Sequence, residues 1–293
     1  MRCRERVILV VSLVSGFLVC VSVFILMAFL LRRGLPALRG DLLFGNTPVM
    51  EAILGLKPVW DGIWPAMAGT LGLLILTMSF AIIPGVGCGI FLACYATPRQ
   101  KEGLGLAVDL LAGIPSIVMG LFGFILILFL RRTFLPRGTT CMLLASFCLA
   151  LLVLPSLIAS TVSSLEGLPE ELSLTAEALG FSQGQALRHV LLPAAGNGIL
   201  SGIMLAMGRT AEDTAVIMLT GVVANAGFPA GLLSKFEALP FFVYYTAAQY
   251  ADQQELTRGF GAILVLLLLS GGLLLGSWYL QRKLELRWRG ERG

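Results

Sequence analysis

Three charged residues interrupt an otherwise apolar stretch from 194 to 224: Arg209, Glu212 and Asp213, followed by Thr214. Read as one helix, Arg209 falls midway along it. Asp213 then lies one turn on and about 40° round, with Glu212 about 60° to the other side, so the three share a broad face. A charge at mid-bilayer costs at least about 2.5–3.5 kcal/mol on insertion scales, so the cluster needs partners or a watery cavity. Two chemistries suit it. One is a buried ion pair that fixes helix packing. The other is a polar patch on a translocation path, where the planar arginine fork meets an oxyanion bidentately. With every group ionised the patch is net negative, so the second reading requires Glu212 to be protonated or turned toward a cation.

Other reactive constellations are missing from the sequence. The one histidine, His189, sits beside Arg188 in a polar loop and reads as a surface residue. Six cysteines are scattered without a Cys-x-x-Cys spacing, mostly inside apolar runs, as small hydrophobes. No metal-ligand set and no Ser/His/Asp cluster is visible. None of the four lysines follows a glycine, so there is no P-loop. The chain is expected to be no enzyme, to hold no metal and to bind no cofactor of its own.

The elements that must carry the charged cluster follow from composition. Of 293 residues, 57% are hydrophobic and 13% charged, with a mean hydropathy of +0.89. Soluble domains carry roughly 25% charge, so lipid must solvate most of this chain. Apolar segments at 7–31, 66–96, 104–130, 141–161, 194–224 and 257–281 are each long enough to cross as helices. The fold class is therefore an all-α integral membrane protein with about six transmembrane helices. The first segment, after Arg2, Arg4 and Arg6, is too long for a signal-peptide core and reads as an uncleaved span. Residues 97–103 make a tight hairpin between the second and third spans. Pro84-Gly85 should kink or break the second span, and Gly113 with Pro115-Ser116 the third. The net charge of +4 sits at termini and short loops, which suits membrane topology and not nucleic acid. Clusters such as Arg131-Arg132 read as interfacial anchors. Basic residues are nearly balanced between the two sides; the tail Arg282-Lys283 through Arg287, Arg289 and Arg292 best supports cytoplasmic termini.

The loop at 162–193 carries the most organised polar sequence. Leu168-Pro169-Glu170-Glu171 reads as a helix start, with carboxylates at the positive end of the dipole. Leu172, Ala176 and Leu179 form an apolar stripe, and Gly180 ends the helix. Ser182-Gln183-Gly184-Gln185 reads as a capping box opening a second short helix that runs to Leu192-Pro193. Two short helices around a glycine make a docking element. The alternative is an interfacial helix, but its polar face is acidic and not basic.

The spacing of this loop resembles the cytoplasmic signature of ABC-importer permeases. In that signature Glu-Ala-Ala is followed by three residues, glycine, nine residues, isoleucine, one residue and Leu-Pro. Here Gly180, Val190 and Leu192-Pro193 keep the spacing, whereas Leu174-Thr175-Ala176 replace Glu-Ala-Ala and the acidic residues are Glu171 and Glu177, the latter beside Ala178. Three further stretches are similar to the permeases of the phosphate-specific transporter. They are Gly69-Thr70 with Pro84-Gly85-Val86-Gly87, then Gly113-Ile114-Pro115-Ser116-Ile117-Val118-Met119-Gly120, then Gly208-Arg209-Thr210-Ala211-Glu212-Asp213-Thr214-Ala215. Glu212 stands at the family's glycine and Asp213 at its glutamate. Length, the single preceding span and Ala238-Leu239-Pro240 favour the A over the C subunit.

The resemblance implies a type I (MetI-like) permease bundle in a bacterial cytoplasmic (inner) membrane. Residues 1–61 would form an N-terminal helix and external loop, 62–281 the permease domain, and 282–293 a basic cytoplasmic tail. It implies a second permease subunit, two ATP-binding subunits that carry the ATP, and an extracytoplasmic phosphate-binding protein. Arg209, Glu212, Asp213 and Thr214 would line the substrate path. Glu171, Glu177, Ala178, Gly180, Leu192 and Pro193 would couple to the ATPase, with Pro84, Gly85, Pro115 and Ser116 shaping the helices. Rival readings are a molybdate or sulfate permease, and a proton-coupled secondary transporter using Asp213 and Glu212.

Overall fold

The computed structural model describes residues 3–53, 55–57, 59–136, 138–229 and 231–290, by backbone alone at 3–6, 277, 280 and 284–290. Arg2, Arg137 and Arg292, and the side chains of Arg4, Arg6, Arg287 and Arg289, lie outside the described residues. Six helical stretches among the described residues are long and apolar enough to cross a membrane. The long helices are α1 (Cys3–Gly34), α4 (Trp64–Cys94), α6 (Ser116–Thr133), α7 (Met142–Glu166), α10 (Leu192–Glu212) and α13 (Gln253–Gly290). Shorter helices fill the connections: α2 (Gly40–Phe44), α3 (Val49–Ile53), α5 (Pro98–Ala112), α8 (Glu170–Ala178), α9 (Gln183–Ala186), α11 (Ala215–Thr220) and α12 (Leu239–Gln249). There is no strand among the described residues, only one bridge between Val222 and Phe236.

The centre of the bundle is α7. Its residues Ala145, Cys148, Leu149, Val153, Leu157 and Ile158 are almost wholly buried, against α4 on one side and α6, α10 and α11 on others. Close approach is bought with glycine. Gly85 and Gly89 of α4 let Leu157 and Thr161 of α7 pack directly on the helix backbone, and Gly198 and Gly202 of α10 do the same for Ser164 and Ser160. In lipid, where apolar surface gains little from burial, such small-residue contacts are what hold helices together. By contrast α1 is exposed along most of its length and packs on α13 near its end, where Phe29 and Gly34 touch Phe260 and Leu264.

Three expectations need correction. Pro84 does not break the second span: α4 runs unbroken through it. Its missing N–H removes one helical bond, but Gly85 and Gly89 seat the turns after the proline on α7, and that packing keeps the helix continuous. The third span breaks at Gly113 and Pro115 as expected, but its membrane-crossing part is α6 alone, starting at Ser116 and not at 104. α5 starts at Pro98, with Thr97 and Gln100 completing a capping box, and stops at Ala112; Pro115 then caps α6. The polar α5 (Lys101, Glu102, Asp109) packs mainly along the end of α7, where Lys101 pairs with Glu166 at 2.5 Å. The fifth span ends at Glu212, not 224, because the chain leaves the helix at Asp213 and Thr214 and restarts as α11. The last helix runs through Arg282 and Lys283 to Gly290, so the basic stretch extends α13.

Candidate translocation site and coupling loop

Register against α7 fixes the level of each motif. Gly85 meets Leu157, Gly202 meets Ser160, and Gly123 meets Cys148 and Thr220. Pro84-Gly85, the start of α6 and the end of α10 therefore all face the middle third of α7. Gly120, which closes the Pro115-Ser116 motif, sits against the backbone of Ala215 and Val216, with room for no side chain larger than hydrogen without a shift. Ser116 is one turn, about 6 Å, below Gly120. The open end of α6 thus lies near the break at Asp213-Thr214.

At that break the three charges do not share a helix face as expected. Arg209 and Glu212 are exposed on the last turn of α10. Asp213 has left the helix, and its Oδ1 accepts the Val216 N–H at 2.9 Å, capping α11. Arg209 forms no ion pair among the described residues. Thr210 is buried and donates to the Ala206 carbonyl at 2.9 Å, a helical back-bond. The outward stripe of α10 runs Leu205, Arg209, Glu212, so one chain alone leaves a guanidinium and a carboxylate uncovered at mid-bundle. A water-filled cavity or another subunit must face them.

The loop from 167 to 191 is built as read, with two differences. Phe181 N–H reaches the Ala176 carbonyl at 3.0 Å and Gly180 N–H the Glu177 carbonyl at 2.9 Å, closing α8 with Gly180 at φ +78°. That is the Schellman arrangement, and it needs the left-handed conformation glycine adopts freely. Ser182 and Gln185 make the reciprocal capping box of α9. Gln183 Nε2 donates to the Cys94 carbonyl at 2.9 Å, tying the loop to the end of α4. The first difference is that Leu179 is 70% exposed; Ala176, 1% exposed, is the buried anchor. Glu171, Leu174, Ala178, Leu179 and Gly180 thus all stay exposed, and Glu177 borders a cleft toward α4 and α7. The second is that α9 does not stop at Leu192-Pro193. A π turn over Leu187–Leu191 carries it into α10, the wider winding absorbing the missing N–H of Pro193.

Residues 85–281 match the family described as binding-protein-dependent transport system inner membrane component. The chain belongs to that family. This permease chain is 30% identical over 243 residues to the phosphate transport system permease protein PstA of Haemophilus influenzae, covering 82% of this chain and 81% of that one. It is 29% identical over 199 residues to PstC of Mesorhizobium japonicum, covering 61% and 58%. Against PstC relatives the chain therefore spans less than two-thirds of their length. The MetNI methionine ABC transporter in an inward-facing conformation shares the fold, with a TM-score of 0.61 at 19% identity over 81% of this chain and 99% of that one. The bundle is of the MetI-like ABC-importer type, as the sequence resemblance implies.

One residue of interest was missed from sequence. Glu237 is 8% exposed, and its Oε1 accepts the Gly227 N–H at 2.8 Å. Burial pushes its carboxyl up from the usual range, and the N–H groups of Gly227 and Ala226 partly offset this. Its backbone packs on Gly69, while Thr70 Oγ1 accepts the Leu239 N–H at 2.9 Å. The signal available was a lone glutamate between Phe236 and Ala238-Leu239-Pro240. Gly69-Thr70 is thus the seat for the segment entering α12.

Proposed function

We propose that this permease subunit forms half of the translocation path of an ATP-driven phosphate importer, with both termini and the 167–191 loop in the cytoplasm. The observation that carries this is Arg209, exposed at mid-bundle on α10 without an acidic partner among the described residues. Its fork suits phosphate oxygens, and the positive end of α6 at Ser116 lies at the same level. The similarity to PstA and PstC supports phosphate as the anion. Glu212 faces out of this chain, toward the second permease subunit, where a cation would neutralise it. Thr214 and Asp213 set the break that opens α10 to the path. ATP is bound and hydrolysed by two separate subunits, which grip Glu171, Ala178 and Gly180, with Glu177 beside the seat. Leu192-Pro193 passes their motion into α10. A binding protein delivers phosphate from the external side.

Radiolabelled phosphate uptake by the complete transporter in proteoliposomes tests this reading. Arg209→Lys should lose most uptake while Glu212→Gln retains it. Full uptake by Arg209→Lys overturns the bidentate role, and loss in Glu212→Gln overturns a neutralised glutamate. Competition by molybdate or sulfate equal to that by phosphate overturns the choice of anion.

A further inference from the structure

We propose that the far side of the bundle, opposite the 167–191 loop, holds one anionic phospholipid: its acyl chain in a groove between α6 and α7, and its phosphate on Arg131 and Arg132. The groove measures about 700 Å3 and is almost wholly apolar, lined by Ile127, Leu130, Phe134, Leu143, Phe147 and Phe80 of α4. That volume is within the roughly 300–1,000 Å3 that holds a single small ligand. Its mouth is apolar as well: Phe134 is 75% and Leu233 72% exposed. A site so lined, in a membrane chain, is wetted by hydrocarbon and not by water.

Charge supplies the second half of the argument. Arg131 and Arg132 lie in the last turn of α6, in sequence between Leu130 and Phe134, which line the groove. Both are exposed, and neither forms an ion pair among the described residues. In the proposed topology they stand on the external side, where the positive-inside tendency disfavours arginine. The helix dipole favours cations on that turn, but it does not explain why they stand beside an apolar slot. A headgroup phosphate over that turn, with its chain running down the groove, satisfies both observations at once.

Native mass spectrometry of the full chain, co-purified with its partner subunits, tests the proposal. Phosphatidylglycerol and phosphatidylcholine are offered at equal concentration, and the retained lipid is identified. The protein should keep one phosphatidylglycerol in preference. Each arginine near an anionic headgroup is worth about fivefold in affinity, so Arg131→Gln/Arg132→Gln should weaken retention roughly thirtyfold. Arg32→Gln/Arg33→Gln, on the same side at the end of α1 and away from the groove, should leave retention intact. Equal loss in both pairs, or no loss in the first, overturns the site. So does displacement of the lipid by millimolar inorganic phosphate. A photoreactive residue at Phe134 should cross-link lipid; a cross-link to a partner subunit instead overturns the occupant.

Discussion

The seam between α4 and α7 and the outward stripe of α10 lie at the same height in the bundle, yet they are built on opposite rules. Along the seam, glycine on one helix meets a branched side chain on the other, and Leu73, Leu149, Leu157 and Thr161 are at most 2% exposed. On the stripe, Leu205, Arg209 and Glu212 stand uncovered. A seam of that kind determines shape and tolerates little change. The stripe contributes nothing to the shape of the single chain, so its residue types answer to what lies beyond the chain.

The contrast fails most directly if the packed side proves tolerant. Gly69→Ala should cost about 3 kcal/mol, because a methyl there meets the Glu237 carbonyl and backbone must move. Thermal unfolding in detergent reads this as a large fall in Tm, and an unchanged Tm would show the seat is soft. Next, Arg209→Ala should leave Tm unchanged while cutting phosphate uptake roughly 10- to 100-fold, the range of a lost charge-assisted hydrogen-bond pair. A parallel fall in Tm would place Arg209 among the packing residues.

Smaller effects sharpen the comparison. Gly180→Ala meets no steric neighbour, so its cost is the left-handed backbone alone, about 1 kcal/mol. Stimulated ATPase activity of the assembled transporter should fall with little change in membrane insertion. Glu237 has a raised carboxyl pKa, so the folded state holds its proton more tightly than the unfolded state. Its contribution to stability is then greatest below the ordinary value of 4.5 and is lost as pH rises through the raised value. Glu237→Gln should flatten that slope in a Tm-versus-pH series; an unaltered slope would assign it to other groups. Least of all, Lys101→Ala removes an exposed pair, and the loss of unfolding free energy should stay within about 0.5 kcal/mol.

How much of this was legible in sequence depended on whether a signal was local. The Gly180 stop and the Ser182–Gln185 box are decided within five residues, and both appear as read. Six membrane helices follow from run length and hydropathy, which lipid enforces. The break after Glu212 was not legible, because 194–224 has helical composition throughout. It comes from Asp213 capping a new helix and from α11 docking on Gly120 and Gly123. Pro84 misled for the same reason in reverse: a local breaker is overruled by glycine contacts with α7. Leu179 misled because spacing gives a stripe but not which neighbour covers it.

The π turn at Leu187–Leu191 gives the molecule a mechanical character. From Gln183 to Glu212 the chain is one helical rod of 30 residues, about 45 Å long, with its loop at one end and Arg209 near the other. A rod transmits thrust without loss except where it can be wound tighter, and the π turn is the only such coil spring along it among the described residues. Reverting that turn to α winding would rotate everything beyond Pro193 by about one residue, roughly 100°. A short stroke at the loop can therefore arrive at Arg209 as torque.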